Sequence, residues 1–158
     1  MCPVTTNLSD TGKNMKLYLD NCCFNRPFDD QLQLRIRLES EAKMKIQEEI
    51  RAGNLKLVWS YILDYENSKN PFQERKIRIN GWKKYAFQYI EESMELLKVA
   101  ISLNQMELQK FDSLHIACAI QSKCDYFLTT DDKVLKRNNQ ISDISVTDPI
   151  TFIKEALS

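Results

Sequence analysis

The chain is 158 residues long and carries 22 basic and 22 acidic side chains, so its formal net charge is zero at pH 7. This length suits one domain with a hydrophobic core. The balanced charge excludes a global field that would recruit nucleic acid or anionic membrane, so any polyanion must meet a local basic patch. No apolar stretch approaches the roughly 20 residues of a membrane-spanning helix. We therefore expect a cytoplasmic protein without membrane contact.

The predicted elements alternate short strands with longer helices. Residues 1–14 have no apolar periodicity and predict a disordered leader, so a single domain is expected over residues 15–158. Strands separated by helices indicate an α/β fold, with a mostly parallel sheet covered by helices on both faces. In chain order, strands are predicted at 16–20, 55–59, 126–130 and 144–147, and helices at 30–53, from Ser60, from about Pro71, and at 91–104, 112–122 and 148–157.

Several common kinds of site have no support in this sequence. The three glycines form neither a GxGxxG nor a GxxxxGK[ST] loop, and no GxSxG is present, which disfavours dinucleotide binding, P-loop chemistry and acyl transfer. The cysteines form no CxxC pair and the chain has one histidine, so neither a zinc site nor a disulfide framework is indicated. We expect buried thiols at Cys2, Cys22, Cys23, Cys118 and Cys124.

Carboxylates follow the predicted strands at conspicuous places. Asp20 ends the first strand, Glu66 lies on the apolar face of the helix after the second, and Asp131 follows the third. Asp112 either caps its helix or faces the core. Ligands of open α/β sheets bind beyond the carboxyl ends of the strands, and clustered carboxylates suit oxygen-seeking cations such as Mg²⁺ or Mn²⁺. We interpret His115, a lone histidine on an apolar helix, as a core residue rather than a ligand.

Four segments resemble the sequence blocks of the PIN domain, the metal-dependent nuclease fold of VapC-type toxins and many RNA-processing proteins. They are LYLDN, SYILDYE, DSLHIACAI and LTTDDKVL, and the resemblance covers the chain from Met15 to about Ile153. It implies a PIN-like fold with a sheet of four to five strands. It also implies Mg²⁺ or Mn²⁺ and hydrolysis of RNA phosphodiesters by an activated water. The acidic quartet it implies is Asp20, Glu66, Asp112 and Asp131, with supporting roles for Asn21, Ser60 and Thr129.

The resemblance also makes predictions about binding partners and about the adjacent aspartates Asp131 and Asp132. It implies a homodimer, and a type II toxin would be bound by an antitoxin protein. Toxin-type members commonly read D-T-N at the first strand, whereas Asn21 and Cys22 follow Asp20 here, so we expect an outlying branch. Asp131 aligns with the family's acid, and Asp132 is then expected to cap the next helix or to lie in solvent.

Two other hypotheses compete with the nuclease hypothesis. A haloacid-dehalogenase-like phosphatase also begins with a strand-end aspartate, but it requires D-x-D, and position 22 is cysteine. A catalytically inactive PIN-like module would bind RNA or a protein partner without cutting. All four acidic positions are filled, and burying so many carboxylates without a metal is costly, which favours metal binding.

Residues 73–85 form a basic stretch with interleaved aromatics. Cations beside the rings of Trp82 and Tyr85 suit single-stranded RNA, whose phosphates need neutralising and whose bases stack. The alternative is a solvated helix face with Trp82 in the core. The candidate RNA-binding residues are Arg75, Lys76, Arg78, Lys83 and Lys84.

Overall fold

A computed structural model describes residues 15–157, and the predicted leader over residues 1–14 lies outside the described residues. The described chain contains one sheet of five parallel strands in the order β3-β2-β1-β4-β5. The α/β prediction is confirmed, and the four predicted strands all form. The strands are β1 (Lys16–Leu19), β2 (Lys56–Ser60), β3 (Ala86–Ile90), β4 (Tyr126–Leu128) and β5 (Ser145–Thr147).

Helices connect the strands and flank the sheet. Ser60 and Ser93 cap two of them by accepting hydrogen bonds from the backbone N–H groups of Leu63 and Leu96, at 3.2 and 3.1 Å. Among the described residues the helices are α1 (Asn21–Asn25), α2 (Leu34–Arg51), α3 (Tyr61–Ser68), α4 (Gln73–Asn80), α5 (Met94–Asn104), α6 (Lys110–Gln121), α7 (Asp132–Leu135) and α8 (Pro149–Phe152). Gly53 adopts a φ of 83° just past α2, as a glycine that ends a helix commonly does.

The sheet has a buried centre and a half-exposed edge. Leu17, Tyr18 and Leu19 of β1 are fully buried, which is typical of a parallel strand covered on both faces. In β3, by contrast, exposed and partly buried residues alternate, because this strand lies at the edge of the sheet. The hydrophobic core consists of these buried strands and the inward faces of the helices packed on them, such as Ile46 of α2, Leu96 of α5 and Ile116 of α6.

The parallel register brings the carboxyl ends of β1, β2 and β4 to one edge. Leu19 pairs with Leu128, and the N–H of Asp20 donates to the Leu128 carbonyl at 2.9 Å. Helix α6 packs against β2 and β4. This edge is where the carboxylates predicted to act together are brought into proximity.

Two composition-based expectations can be compared with the described residues. No helix between residues 15 and 157 is long and apolar enough to cross a membrane. Four thiols are free: Cys23, Cys118 and Cys124 are buried, as expected, while Cys22 is partly exposed. Cys2 lies outside the described residues.

Candidate metal centre

Asp20 is held rigidly where β1 meets α1. Its side chain is almost fully buried, and its Oδ1 accepts a hydrogen bond from the N–H of Asn21 at 2.7 Å, which caps α1. Its Oδ2 accepts one from the Thr129 hydroxyl at 2.8 Å. Thr129 thus fixes the carboxylate from the neighbouring strand end, which is the supporting position predicted for it.

Glu66 and His115 meet Asp20 from two different helices. Nε2 of His115 contacts Oε1 of Glu66 and lies 3.8 Å from Oδ1 of Asp20. One ligand atom from each of the three residues lies within 4.8 Å of the other two. The His115 side chain is 1% exposed and that of Glu66 is 26% exposed. His115 is therefore buried, as expected of a core histidine, but it also belongs to the cluster, which the sequence interpretation did not anticipate.

The other ring nitrogen of His115 joins a buried hydrogen-bonded chain. The Tyr18 hydroxyl lies 2.6 Å from Nδ1 of His115 and 2.5 Å from Oγ of Ser60. Burial raises the pKa of Tyr18 well above its ordinary value, so the phenol stays protonated. Ser60, predicted as a supporting residue, thus reaches the cluster through Tyr18 and His115. Because Tyr18 holds the His115 ring at Nδ1, Nε2 of that ring has a fixed direction.

Asp112 stands at the rim of the cluster. Helix α6 begins at Lys110, and Gln109 occupies the cap position, so the alternative that Asp112 caps this helix is wrong. Burial, followed by the negative charges of Asp20 and Asp131, raises the pKa of Asp112 to about 7. This response places its carboxyl within the field of the other acids.

Of the two places expected for Asp132, a helix cap or solvent, the structure has the second, and Asp131 is the cap. Asp131, not Asp132, caps α7, because its Oδ1 accepts from the N–H of Lys133 at 2.9 Å. Its charge still reaches Asp112, but it is not one of the three residues with mutually close ligand atoms. Asp132 is 62% exposed and forms a two-pronged pair with Arg35 at 2.8 and 2.9 Å, which holds its pKa below the ordinary value.

Asn21 and Cys22 occupy the positions where the sequence departs from D-T-N. Oδ1 of Asn21 is buried and has no hydrogen-bond partner among residues 15–157. Sγ of Cys22 lies 3.4 Å from the Thr129 hydroxyl and 3.6 Å from Oδ2 of Asp20. Where D-T-N would place threonine and asparagine, this chain therefore has an amide oxygen without a partner, on Asn21, and a thiol in contact with the Asp20 carboxylate, on Cys22.

Two of the five predicted RNA-binding cations are held by acceptors within the fold. Arg75 donates to Asp29 and to the Phe28 carbonyl, at 3.2 and 2.7 Å. Lys83 donates to Asp64 at 3.0 Å. These two are occupied within the fold. Arg78 pairs with Glu74 on the surface of α4, at 3.4 Å. The remaining two predicted cations are Lys76 and Lys84.

Asp64, two positions before Glu66 on α3, is held by three hydrogen-bond donors. Besides Lys83, its carboxylate accepts from Trp59 Nε1 at 2.9 Å and from the Tyr89 hydroxyl at 2.6 Å. Burial alone would raise the pKa of Asp64, but these hydrogen bonds together hold it below its ordinary value. Asp64 therefore ties α3 to the edge strand β3 and stands apart from the metal-ligand cluster.

The ligand set suits a divalent ion. Asp20 and Glu66 supply oxygen and His115 supplies nitrogen within one small volume, with Asp112 beside them. Oxygen ligands suit Mg²⁺ and Mn²⁺, and an imidazole ligand shifts preference toward transition metals. No protein-family model matches the chain, and a search of curated proteins found no match.

Proposed function

We propose that this protein is a metal-dependent endoribonuclease. The observation that carries the proposal is the convergence of Asp20, Glu66 and His115, whose ligand atoms lie within 4.8 Å of one another at the carboxyl edge of a parallel sheet. Asp112 adds a carboxyl whose pKa responds to the others. A buried carboxylate such as Asp20, with further carboxylates near it, is costly unless a cation compensates the charge.

In this proposal, Asp20, Glu66 and His115 would hold Mg²⁺ or Mn²⁺, with Asp112 and Asp131 acting directly or through water. When bound, the ion would activate a water and stabilise charge on the phosphodiester. Thr129 keeps Asp20 oriented through its 2.8 Å hydrogen bond. With Nε2 of His115 on the ion, the ring proton would lie on Nδ1 and be donated to the Tyr18 hydroxyl, which would in turn donate to Ser60.

The resemblance to PIN domains supports RNA as the substrate. It extends the proposal to a cytoplasmic homodimer, and to a type II toxin whose antitoxin would cover the acidic cluster. The all-parallel α/β sheet is consistent with a PIN-like fold.

One contact favours the alternative, a catalytically inactive PIN-like module that binds RNA or a protein. Nε2 of His115 contacts Oε1 of Glu66, so a protonated histidine would offset part of the negative charge without a metal. In that case the cluster would be structural.

An assay for cleavage of labelled single-stranded RNA distinguishes the nuclease from the catalytically inactive module. We expect wild-type protein to cleave in Mn²⁺ and to stop in EDTA, and Asp20→Asn to be inactive although folded. Asp143→Asn, a change at an exposed carboxylate, is the matched control and should retain activity. Cleavage that persists in EDTA or in Asp20→Asn would refute the nuclease proposal, as would its absence from wild type.

A further inference from the structure

A pocket separate from the acidic cluster lies between α1, α2 and the segment that follows α4. It has a volume of about 560 Å³, within the range of small-molecule sites. Its walls hold several aromatic rings and no acidic side chain. Four cations line it: Lys43 and Arg51 from α2, and Arg78 and Lys84 from the basic stretch.

Lys43 is the unusual member of this lining. Lys43 as a whole residue is only 3% exposed. Among the described residues its ammonium forms no ion pair and no hydrogen bond, and it lies instead over the rings of Phe24 and Trp82, at 5.0 and 5.7 Å. Burial lowers the pKa of Lys43 to about 7. A buried cation without a carboxylate is costly unless an anion compensates it.

A second buried group in the pocket also lacks a partner. Gln47, one helical turn after Lys43, is 7% exposed, and its Nε2 has no hydrogen-bond partner among the described residues. Lys43 and Gln47 therefore both offer N–H groups without acceptors, from the same face of α2. Such a pair suits phosphate oxygens.

The aromatic side chains supply the other half of the recognition. Trp82 is partly exposed, its ring lies 5.1 Å from that of Tyr85, and the Arg51 guanidinium lies 5.1 Å from the Trp82 ring. Rings beside cations bind the bases and phosphates of single strands. The ligand favoured by this lining has both an anionic group and a flat ring.

We propose that this pocket binds a nucleotide of a single-stranded RNA, with the phosphate at Lys43 and Gln47 and the base on Trp82. The inference rests on RNA being the substrate of the proposed function. Phe24 lies four residues after Asp20, so the pocket adjoins α1, the helix that Asp20 caps. A strand bound there would be anchored beside the acidic cluster rather than within it.

The test is binding of a fluorescein-labelled single-stranded oligouridylate in EDTA, followed by fluorescence anisotropy. Lys43→Met keeps the side-chain length and removes the charge, and Trp82→Leu removes the ring. Because stacking is worth about 1–3 kcal/mol per base, Trp82→Leu should weaken binding at least about fivefold. Lys43→Met should also weaken binding, because it removes the charge that meets the phosphate. Lys45→Met is the control, because Lys45 lies on the same helix, is exposed, and pairs with Glu48 and Glu49.

Binding of Lys43→Met as tight as that of wild type would overturn the proposal, as would an equal loss in Lys45→Met. Competition by inorganic pyrophosphate as effective as by unlabelled oligouridylate would overturn the role of the base. Asp143→Asn, at an exposed position, should bind normally in EDTA. Binding that depends on Lys43 without any cleavage would reject the nuclease and keep the pocket, whereas cleavage with binding indifferent to Lys43 would do the reverse.

Discussion

Replacing Asp112 with asparagine should stabilise the metal-free protein. The pKa of this carboxyl is raised from 3.8 to about 7, first by burial and then by Asp20 and Asp131. Each tenfold change in the acid dissociation constant is worth about 1.4 kcal/mol, so for a carboxyl fully removed from solvent this shift would lower the free energy of unfolding by about 4 kcal/mol. The carboxyl is only partly buried, and screening by solvent reduces this to about 2 kcal/mol.

The sign depends on pH. A carboxyl with a raised pKa in the folded state binds more protons there than in the unfolded chain, so its stability contribution is present below about pH 4 and is lost as pH rises through about 7. The advantage of Asp112→Asn over wild type should therefore be near zero at pH 4 and full at pH 8.

Urea unfolding in EDTA at several pH values measures this difference. Asp143→Asn, at an exposed position, controls for the loss of one negative charge and should show no comparable gain. An Asp112→Asn variant that is equally or less stable than wild type at pH 8 would refute the crowding of carboxylates inferred around Asp112. So would an advantage that is already complete at pH 4.

Three further predictions concern neighbouring groups. Tyr18→Phe leaves the buried Nδ1 of His115 without its partner and should lower the free energy of unfolding by about 1–3 kcal/mol, measured in urea; an unchanged value would contradict the buried chain. Burial lowers the pKa of Lys43 to about 7, so the charged side chain destabilises the fold, and Lys43→Met should raise the free energy of unfolding by about 2 kcal/mol below pH 7. This gain should fade toward pH 10, where Lys43 is neutral in both the folded and the unfolded chain. A destabilised Lys43→Met variant would contradict the cost assigned to the buried ammonium. In the RNA cleavage assay Asp131→Asn should sharply reduce activity and Asp132→Asn should not, and the opposite result would mean that Asp132 serves the site.

Local signals predicted most of the fold. The apolar strands and the Ser60 cap need only neighbours in sequence, and all of them form. The strand Ala86–Ile90 was not assigned from the sequence. It is an edge strand with alternating exposure, and it follows a strongly basic stretch, so it presents no continuous apolar run.

The candidate site was only partly predictable. Asp20 could be inferred because a parallel sheet gathers its strand ends at one edge. The contact between Glu66 and His115 joins residues 49 positions apart and depends on how two helices pack, which periodicity does not specify. Lys43 did carry a signal, since it precedes the buried Ile46 by three positions and so lies on the apolar face of α2.

Titration with Mn²⁺ shows whether Asp20, Glu66 and His115 form a metal centre. Free Mn²⁺ gives an electron paramagnetic resonance signal that is lost on binding, so titration of the protein with Mn²⁺ counts bound ions without any substrate. We predict binding by wild type and by the Asp143→Asn control, and loss of binding in Asp20→Asn. Wild-type protein that binds no Mn²⁺, or Asp20→Asn that binds it equally well, would contradict a metal centre built on Asp20, Glu66 and His115.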